Sequence, residues 1–85
     1  MKIKVLYFAS LKEKLGAEME QIDAPAGVST VAALRAHLGS RGGAYAEAFA
    51  EKKLVKAAVN QEMVGPTAPL KAGDEVAFFP PVTGG

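Results

Sequence analysis

Alternation of apolar and polar residues predicts a β-strand near each end of the chain. Within residues 2–9, Ile3, Val5 and Tyr7 alternate with a second set that is partly apolar. Residues 75–79 are similarly rich in strand-forming side chains, and two prolines then end the run because proline cannot donate to a sheet. Shorter runs predict three further strands, at residues 18–23, 54–59 and 63–64.

Apolar residues three and four positions apart predict one main helix in the middle of the chain. Val31, Leu34 and Leu38 form its apolar stripe, Ser29 is placed to cap its N-terminus, and Gly39 is expected to end it in a left-handed conformation. Shorter helical segments are expected at Leu11 to Leu15 and around Tyr45 to Phe49.

These elements predict an α+β fold of the β-grasp, or ubiquitin-like, type. One amphipathic helix covers one face of a mixed four- to five-stranded sheet. Residues 1–79 would form the domain, and residues 80–85 would form an extended, flexible tail that ends in two glycines. Leu6 and Phe8 would lie on the uncovered face, where an apolar patch is typical of a docking surface. The alternative, in which the minor helix and loops cover that patch, stays open.

Length, charge and composition narrow the range of functions. With 85 residues, the chain has room for one domain and little for a large catalytic cleft. Ten basic and nine acidic residues give a net charge of +1, so we expect no nucleic-acid partner. The chain has no cysteine, which excludes disulfides and thiolate metal sites. Its apolar runs are much shorter than the roughly 20 residues of a membrane span, so we expect no membrane partner and a cytoplasmic location.

Internal residues show no pattern of catalytic groups. Helical periodicity places the single histidine, His37, about a quarter turn from the centre of the apolar stripe, where a boundary or surface residue is expected. Glu18 and Glu20 are typical of a solvated strand face. The glycine-rich segment 39–43 lacks the Gly-Lys-Ser/Thr ending of a phosphate-binding loop. We therefore predict no active site within the domain.

The last six residues have a composition suited to entering a partner. Pro80 and Pro81 stiffen the exit from the sheet, and no large apolar side chain follows to fold back onto it. Six residues extend at most about 20 Å, which is enough to place a terminal carboxylate in a pocket. Gly84 and Gly85 have no Cβ, so their backbone fits a narrow channel. A frayed chain end could also finish in two glycines, so the dipeptide alone does not decide.

Three segments together resemble one known family. LKAGDEVAFFPPVTGG (residues 70–85), IKVLYFASLKEKLG (3–16) and AAVNQEMV (57–64) are similar to the molybdopterin synthase small subunit, the MoaD family of ubiquitin-like sulfur carriers. The resemblance follows the whole chain in order. It is most specific in the tail and weakest over residues 39–53.

The resemblance implies a cycle of activation and sulfur delivery. A ubiquitin-activating-like enzyme, using ATP and magnesium, would adenylate the carboxylate of Gly85, and a sulfur donor protein would allow its conversion to a thiocarboxylate. The tail would then enter the large subunit of molybdopterin synthase and give sulfur to cyclic pyranopterin monophosphate, forming the molybdopterin dithiolene. Two small and two large subunits would form a heterotetramer. This chain itself would bind no cofactor or metal and would have no active site of its own.

The same resemblance assigns roles to individual residues. Gly85 would carry the sulfur. The segment inserted in the partner would comprise Gly84, Thr83, Val82, Pro81 and Pro80. The uncovered face of the sheet, and not the resemblance, places the docking patch at Phe79, Phe78, Phe8 and Leu6, with either Phe78 or Phe79 in the core instead, according to the strand register.

Three alternatives remain open at this point. A sulfur carrier for another pathway, such as thiazole synthesis, would share the tail chemistry. A ubiquitin-like modifier would join Gly85 to lysines of target proteins. A β-grasp binding module would use no terminal chemistry at all, although the near-neutral charge argues against RNA as its ligand.

Overall fold

The computed structural model describes residues 1–81, which form five strands and three helices. The strands are β1 (Lys2–Tyr7), β2 (Met19–Asp23), β3 (Lys56–Val59), β4 (Glu62–Val64) and β5 (Glu75–Phe79). The helices are α1 (Ala9–Leu15), α2 (Val31–Gly39) and α3 (Gly43–Ala48).

The strands form one mixed sheet in the order β2-β1-β5-β3-β4. The neighbours β1 and β5 run parallel, whereas β1 with β2, β3 with β5 and β3 with β4 are antiparallel. Parallel strands need a long crossover, and here the whole chain between β1 and β5 supplies it. The predicted α+β, β-grasp architecture is confirmed.

One face of the sheet, which we call the inner face, packs against the helices. Ile3 and Val5 of β1 and Val76 of β5 are fully buried there, together with Leu34 and Leu38 of α2. Burying each such side chain stabilises the fold by about 1.5–3 kcal/mol relative to leaving it in water. The opposite face of the sheet is the outer face.

The helices lie where the sequence predicts one main and two shorter helical segments, but their ends and their share of the core differ from the predictions. The prediction of one main helix is incomplete, because α1 and α3 also add buried residues to the inner-face core. Thr30, not Ser29, caps α2, since its Oγ1 accepts a hydrogen bond from the Ala33 amide at 3.1 Å. Gly39 is the last residue of α2 and is not left-handed. The chain instead takes positive φ angles at Gly42 and Gly43.

Two tight turns set the strand ends. β1 stops at Tyr7, before the predicted Ala9, because Ala9 takes a φ of 52° and starts α1. Asn60 and Gln61 join β3 to β4, and both have positive φ angles, of 50° and 70°. A two-residue turn of this kind matches the twist of the flanking strands. Within residues 1–81, no helix is long and apolar enough to span a membrane.

Candidate functional site

The outer face of the sheet carries an apolar row that crosses all five strands. Residues paired across neighbouring strands point to the same side of a sheet, so the strand register defines the row. It runs in the order Met19, Leu6, Ala77, Ala58 and Met63. Its ends are the most open part, since Met19 is 56% and Met63 is 59% exposed.

Two aromatic side chains extend this row toward the end of β5. Phe8 follows β1 directly, its amide donates to the Phe78 carbonyl at 3.1 Å, and its side chain is 49% exposed. Phe79 pairs with Lys56 and is half-buried on the same outer face. We call Leu6, Phe8, Met19, Met63, Ala77 and Phe79 the outer patch. Within residues 1–81, Phe8, Met19 and Met63 stay between 49% and 59% exposed. The helices and loops therefore do not cover the patch.

Phe78 does not belong to this patch. Its side chain is 1% exposed and lies in the inner-face core, with its ring centroid 5.2 Å from that of Phe49. Successive residues of a strand point to opposite faces, so Phe79 must then point outward. The placement of Phe78 in the docking set is therefore wrong, whereas Leu6, Phe8 and Phe79 do lie together on the outer face.

The outer face is polar at the opposite end of the central strands. Lys4 pairs with Glu75 in the register, and their side chains form an ion pair at 3.9 Å. Gln21 lies beside Lys4 on the neighbouring strand. Moving from this end toward Phe8 and Phe79, the outer face becomes mainly apolar, with Lys56 as a charged neighbour of Phe79. The apolar part is thus the part next to the tail.

A buried carboxylate fixes the start of β5 and hence its register. Asp74 is 4% exposed, and its carboxylate accepts hydrogen bonds from the Lys71 amide at 2.9 Å and from Nδ2 of Asn60 at 3.0 Å. Oδ1 of Asn60 in turn accepts the Glu75 amide at 3.0 Å. The Lys71 amide, with help from Asn60, lowers the pKa of Asp74. We call these hydrogen bonds among Asp74, Asn60, Lys71 and Glu75 the Asp74 lock. They fix the position of β5, the strand that carries Phe79 and leads into the tail.

A second polar cluster lies on the helical side of the molecule. The hydroxyls of Tyr7 and Tyr45 both donate to Oε2 of Glu20, at 2.8 and 3.0 Å. The guanidinium of Arg41 binds both oxygens of the same carboxylate, at 3.0 and 2.8 Å. Glu20 was expected on a solvated face. Through these hydrogen bonds it instead links β2 to β1, to α3 and to the turn before α3.

The protonation of this cluster indicates a structural role. Burial raises the pKa of Tyr7 far above its ordinary value, and the negative charge of Glu20 adds to this effect. Partial burial alone would raise the pKa of Glu20, but hydrogen bonds from Arg41, Tyr7 and Tyr45 outweigh it and lower that pKa. A carboxylate held as an anion by three donors is a poor general acid or base.

His37 lies at the boundary of the helical layer, half-exposed. It has no hydrogen-bonded side-chain partner among the contacts within residues 1–81. In the same range, no group of three or more His, Cys, Asp or Glu side chains is placed to hold a metal ion.

The tail begins where β5 ends, beside the loop that precedes β3. Pro80 and Pro81 follow Phe79 without regular secondary structure. Leu54 and Val55 line two cavities, of which one is also lined by Pro80 and the other by Pro81. Sequence analysis did not identify Leu54, because it lay in a segment expected to be strand. The predicted sulfur-bearing and inserted residues 82–85 lie outside the described part of the chain.

Comparison with curated proteins finds relatives along the whole chain. The molybdopterin synthase sulfur carrier subunit of Escherichia coli is 48% identical over 83 residues, which cover 98% of this chain and 99% of that protein. The protein of the same name from Haemophilus influenzae is 40% identical with the same coverage. These relatives confirm the resemblance found in the sequence.

Solved structures of similar fold include proteins with different names. A Pyrococcus furiosus protein matches with a TM-score of 0.78 at 30% identity, over 96% of this chain and 99% of that one. SAMP1 from Haloferax volcanii matches with a TM-score of 0.74 at 29% identity, over the full length of both chains. A Helicobacter pylori chain from a complex of subunits 1 and 2 of molybdopterin-converting factor matches at 0.68 and 28%, also over the full length of both.

The model of the ThiS family matches residues 5–85, which include nearly all of the described fold and the whole tail. With this match and the full-length relatives, the chain belongs to the ThiS family and is related to the molybdopterin synthase sulfur carrier subunits.

Proposed function

We propose that this chain is the sulfur-carrying small subunit of a molybdopterin synthase. The observation that carries the proposal is an apolar outer patch that leads directly to the tail, in a chain 48% identical over 83 residues to a subunit of that name. The ThiS family match alone does not separate this role from sulfur carriage in another pathway, such as thiazole synthesis. The names of the relatives favour the molybdopterin pathway.

In the first stage, the carboxylate of Gly85 becomes an electrophile. A carboxylate is a poor electrophile, since its charge is spread over two oxygens and neither is a good leaving group. A ubiquitin-activating-like enzyme joins one oxygen to the α-phosphorus of ATP, with magnesium, and pyrophosphate leaves. Sulfur at the sulfide level, supplied through a donor protein, then attacks the carbonyl carbon, AMP leaves with the bonding electrons and the sulfur loses its proton, so a thiocarboxylate remains.

In the second stage, the large subunit receives the tail, and Gly84, Thr83 and Val82 enter its channel. The sulfur on Gly85 forms a bond to a carbon of the cyclic pyranopterin monophosphate as a carbon–oxygen bond of that precursor breaks and its oxygen leaves. Water then attacks the Gly85 carbonyl carbon, the acyl carbon–sulfur bond breaks, the sulfur stays on the precursor, and the carboxylate is restored. The precursor needs two sulfur atoms for its dithiolene, so two loaded carriers serve each product. We propose a heterotetramer of two small and two large subunits for this work.

The outer patch is the docking surface for the large subunit in this proposal. Phe79 directly precedes Pro80, and Phe8 lies at the same end of the sheet, so docking on the patch places the tail at the partner's surface. An exposed apolar patch of this kind on a small domain is typical of an interaction site. The similar Helicobacter pylori chain was solved in complex with a second subunit, which supports a partner of this kind.

Intact-mass spectrometry tests the chemistry. The chain is incubated with the activating enzyme, ATP, magnesium and a sulfur donor, and replacement of oxygen by sulfur adds about 16 Da. A variant with one extra residue after Gly85 is the matched control and should stay unmodified. If the wild-type mass does not change, or if the extended variant still supports dithiolene formation in full, the proposal is wrong. The large partner that co-purifies separates the molybdopterin pathway from another sulfur pathway.

A second candidate is protein modification, because the small archaeal modifier protein 1 of Haloferax volcanii, SAMP1, has the same fold. In that role the activated Gly85 carbonyl would form an amide with a lysine of a target protein. Conjugates that resist hydroxylamine on a denaturing gel would support it, since an amide resists this reagent and a thioester does not.

A further inference from the structure

Arg35 ties a loop of the chain to α2. The loop comprises residues 49–55 and leads from the end of α3 to β3. Nε of Arg35 donates to the Phe49 carbonyl at 3.2 Å, and its Nη2 donates to the carbonyls of Ala50 at 2.6 Å and Lys53 at 2.7 Å. Three bonds from one planar guanidinium fix the path of this loop, which has little regular structure of its own.

The loop holds Leu54 out into water. Leu54 is 78% exposed, the largest exposed fraction among the large apolar side chains of residues 1–81. A single exposed leucine is ordinary on a protein surface. This one differs in two respects, because its backbone is braced by Arg35 and because it lines both cavities that contain the prolines of the tail.

The length of the tail determines what must face Leu54. Four residues follow Pro81, and they extend at most about 14 Å. A partner that encloses the carboxylate of Gly85 must therefore approach Pro81 within this distance. Because Pro80 and Pro81 each share a cavity with Leu54, a partner of protein size at that distance also faces Leu54.

We propose that the loop at residues 49–55 is a second contact for the large subunit of the synthase, with Leu54 as its apolar anchor and Arg35 as the positioning residue that holds it. This inference rests on the function proposed above and adds to the outer patch a contact on the loop beside the tail. Docking on both the patch and the loop would fix the direction in which the tail enters the partner.

Binding of the large subunit to purified variants, measured by isothermal titration calorimetry, tests the inference. Leu54→Ala is expected to weaken binding about tenfold, which corresponds to about 1.4 kcal/mol. Leu54→Met keeps the apolar volume and should stay within about threefold of the wild type. Lys52→Ala, in the same loop, is the matched control and should bind as the wild type does. Since Leu54 is 78% exposed, the melting temperature should not change.

Arg35 is tested through its coupling to Leu54. Arg35→Lys keeps the charge but loses the planar fork, so binding should weaken. If Arg35 acts through Leu54, then Leu54→Ala in the Arg35→Lys background should cost much less than tenfold. A merely structural effect would instead lower the melting temperature and leave the effect of Leu54→Ala unchanged.

The outcomes separate this inference from the proposed function. If the wild-type chain does not bind the large subunit, the proposed function fails. If the wild type binds and Leu54→Ala binds within twofold of it, only the inference fails. Leu54→Ala that weakens binding of the activating enzyme but not of the large subunit would also overturn it.

Discussion

Glu20→Gln is the most informative test of how the fold is held together. Glu20 accepts hydrogen bonds from both tyrosine hydroxyls and from Arg41, all between 2.8 and 3.0 Å. Glutamine has the same shape and keeps one carbonyl oxygen, but it loses the charge and turns an amide toward groups that are themselves donors. The substitution therefore changes the electrostatics and leaves the packing almost unchanged.

The expected loss can be worked out from these contacts. A hydrogen bond to a charged group contributes about 1.5–3 kcal/mol, and the remaining carbonyl of glutamine can keep part of the network. The Glu20 side chain is 24% exposed, so water replaces a further part. We expect a net loss of about 2 kcal/mol in the free energy of unfolding. For a domain of this size, that lowers the melting temperature by about 10 °C.

The pH dependence gives the prediction a second readout. The folded state lowers the pKa of Glu20 below its ordinary value of 4.5, so the stabilisation is fully present above that value and is lost as the pH falls through the folded pKa. Glutamine does not titrate. The difference in stability between wild type and variant should thus be constant near neutral pH and should shrink in acid.

Urea denaturation of both proteins at pH 7 and at acid pH measures this difference. Glu18→Gln, two residues earlier in the chain, is the matched control. It removes the same charge, but Glu18 is 77% exposed and forms only an ion pair with Lys12, at 3.5 Å. A surface pair of this kind contributes about 0–1 kcal/mol. If Glu20→Gln were as stable as the wild type at pH 7, or if its deficit were the same in acid, the account of the cluster would be refuted.

Three further predictions concern the turns and the two adjacent phenylalanines. Gln61→Gly should raise the free energy of unfolding by about 0.5 kcal/mol in urea denaturation, because Gln61 has a φ of 70°. Asn60→Ala should lower it by about 1–3 kcal/mol, because it leaves the buried Asp74 with one fewer donor; equal stability would count against the lock. Phe78→Ala should destabilise by about 3–5 kcal/mol, whereas Phe79→Ala should mainly weaken binding of the large subunit in calorimetry, and the reverse pattern would mean that the two faces are misassigned.

Local pattern was sufficient to predict the fold type but not which face each residue of the Phe78–Phe79 pair occupies. The strands, the main helix and the β-grasp order follow from periodicity and turn residues. Both phenylalanines suit a buried face, so the sequence of β5 alone cannot choose between them. The choice is made by long-range pairing of β5 with β1 and by the lock at Asp74, neither of which is visible locally.

The outer patch and the Glu20 cluster show the same limit. Met19 and Met63 belong to strands at opposite edges of the sheet. They lie in one row only because the registers of all four strand pairs align them. Glu20 looks like a solvated strand residue because its partners, Tyr7, Tyr45 and Arg41, come from distant parts of the chain. The cap of α2 is Thr30 and not the predicted Ser29. Either hydroxyl can cap a helix, and the residue at which the backbone becomes helical determines which one does.

In the proposed cycle of sulfur loading and delivery, the position of β5 has a mechanical consequence. β5 is bonded to β1 on one side and to β3 on the other, so it is an interior strand and not an edge. If a departing partner pulled on the segment after β5, the force would run along this strand and load the hydrogen bonds to both neighbouring strands in shear. An interior strand loaded in this way would resist separation from the sheet, so in the proposed cycle the domain would stay folded between rounds.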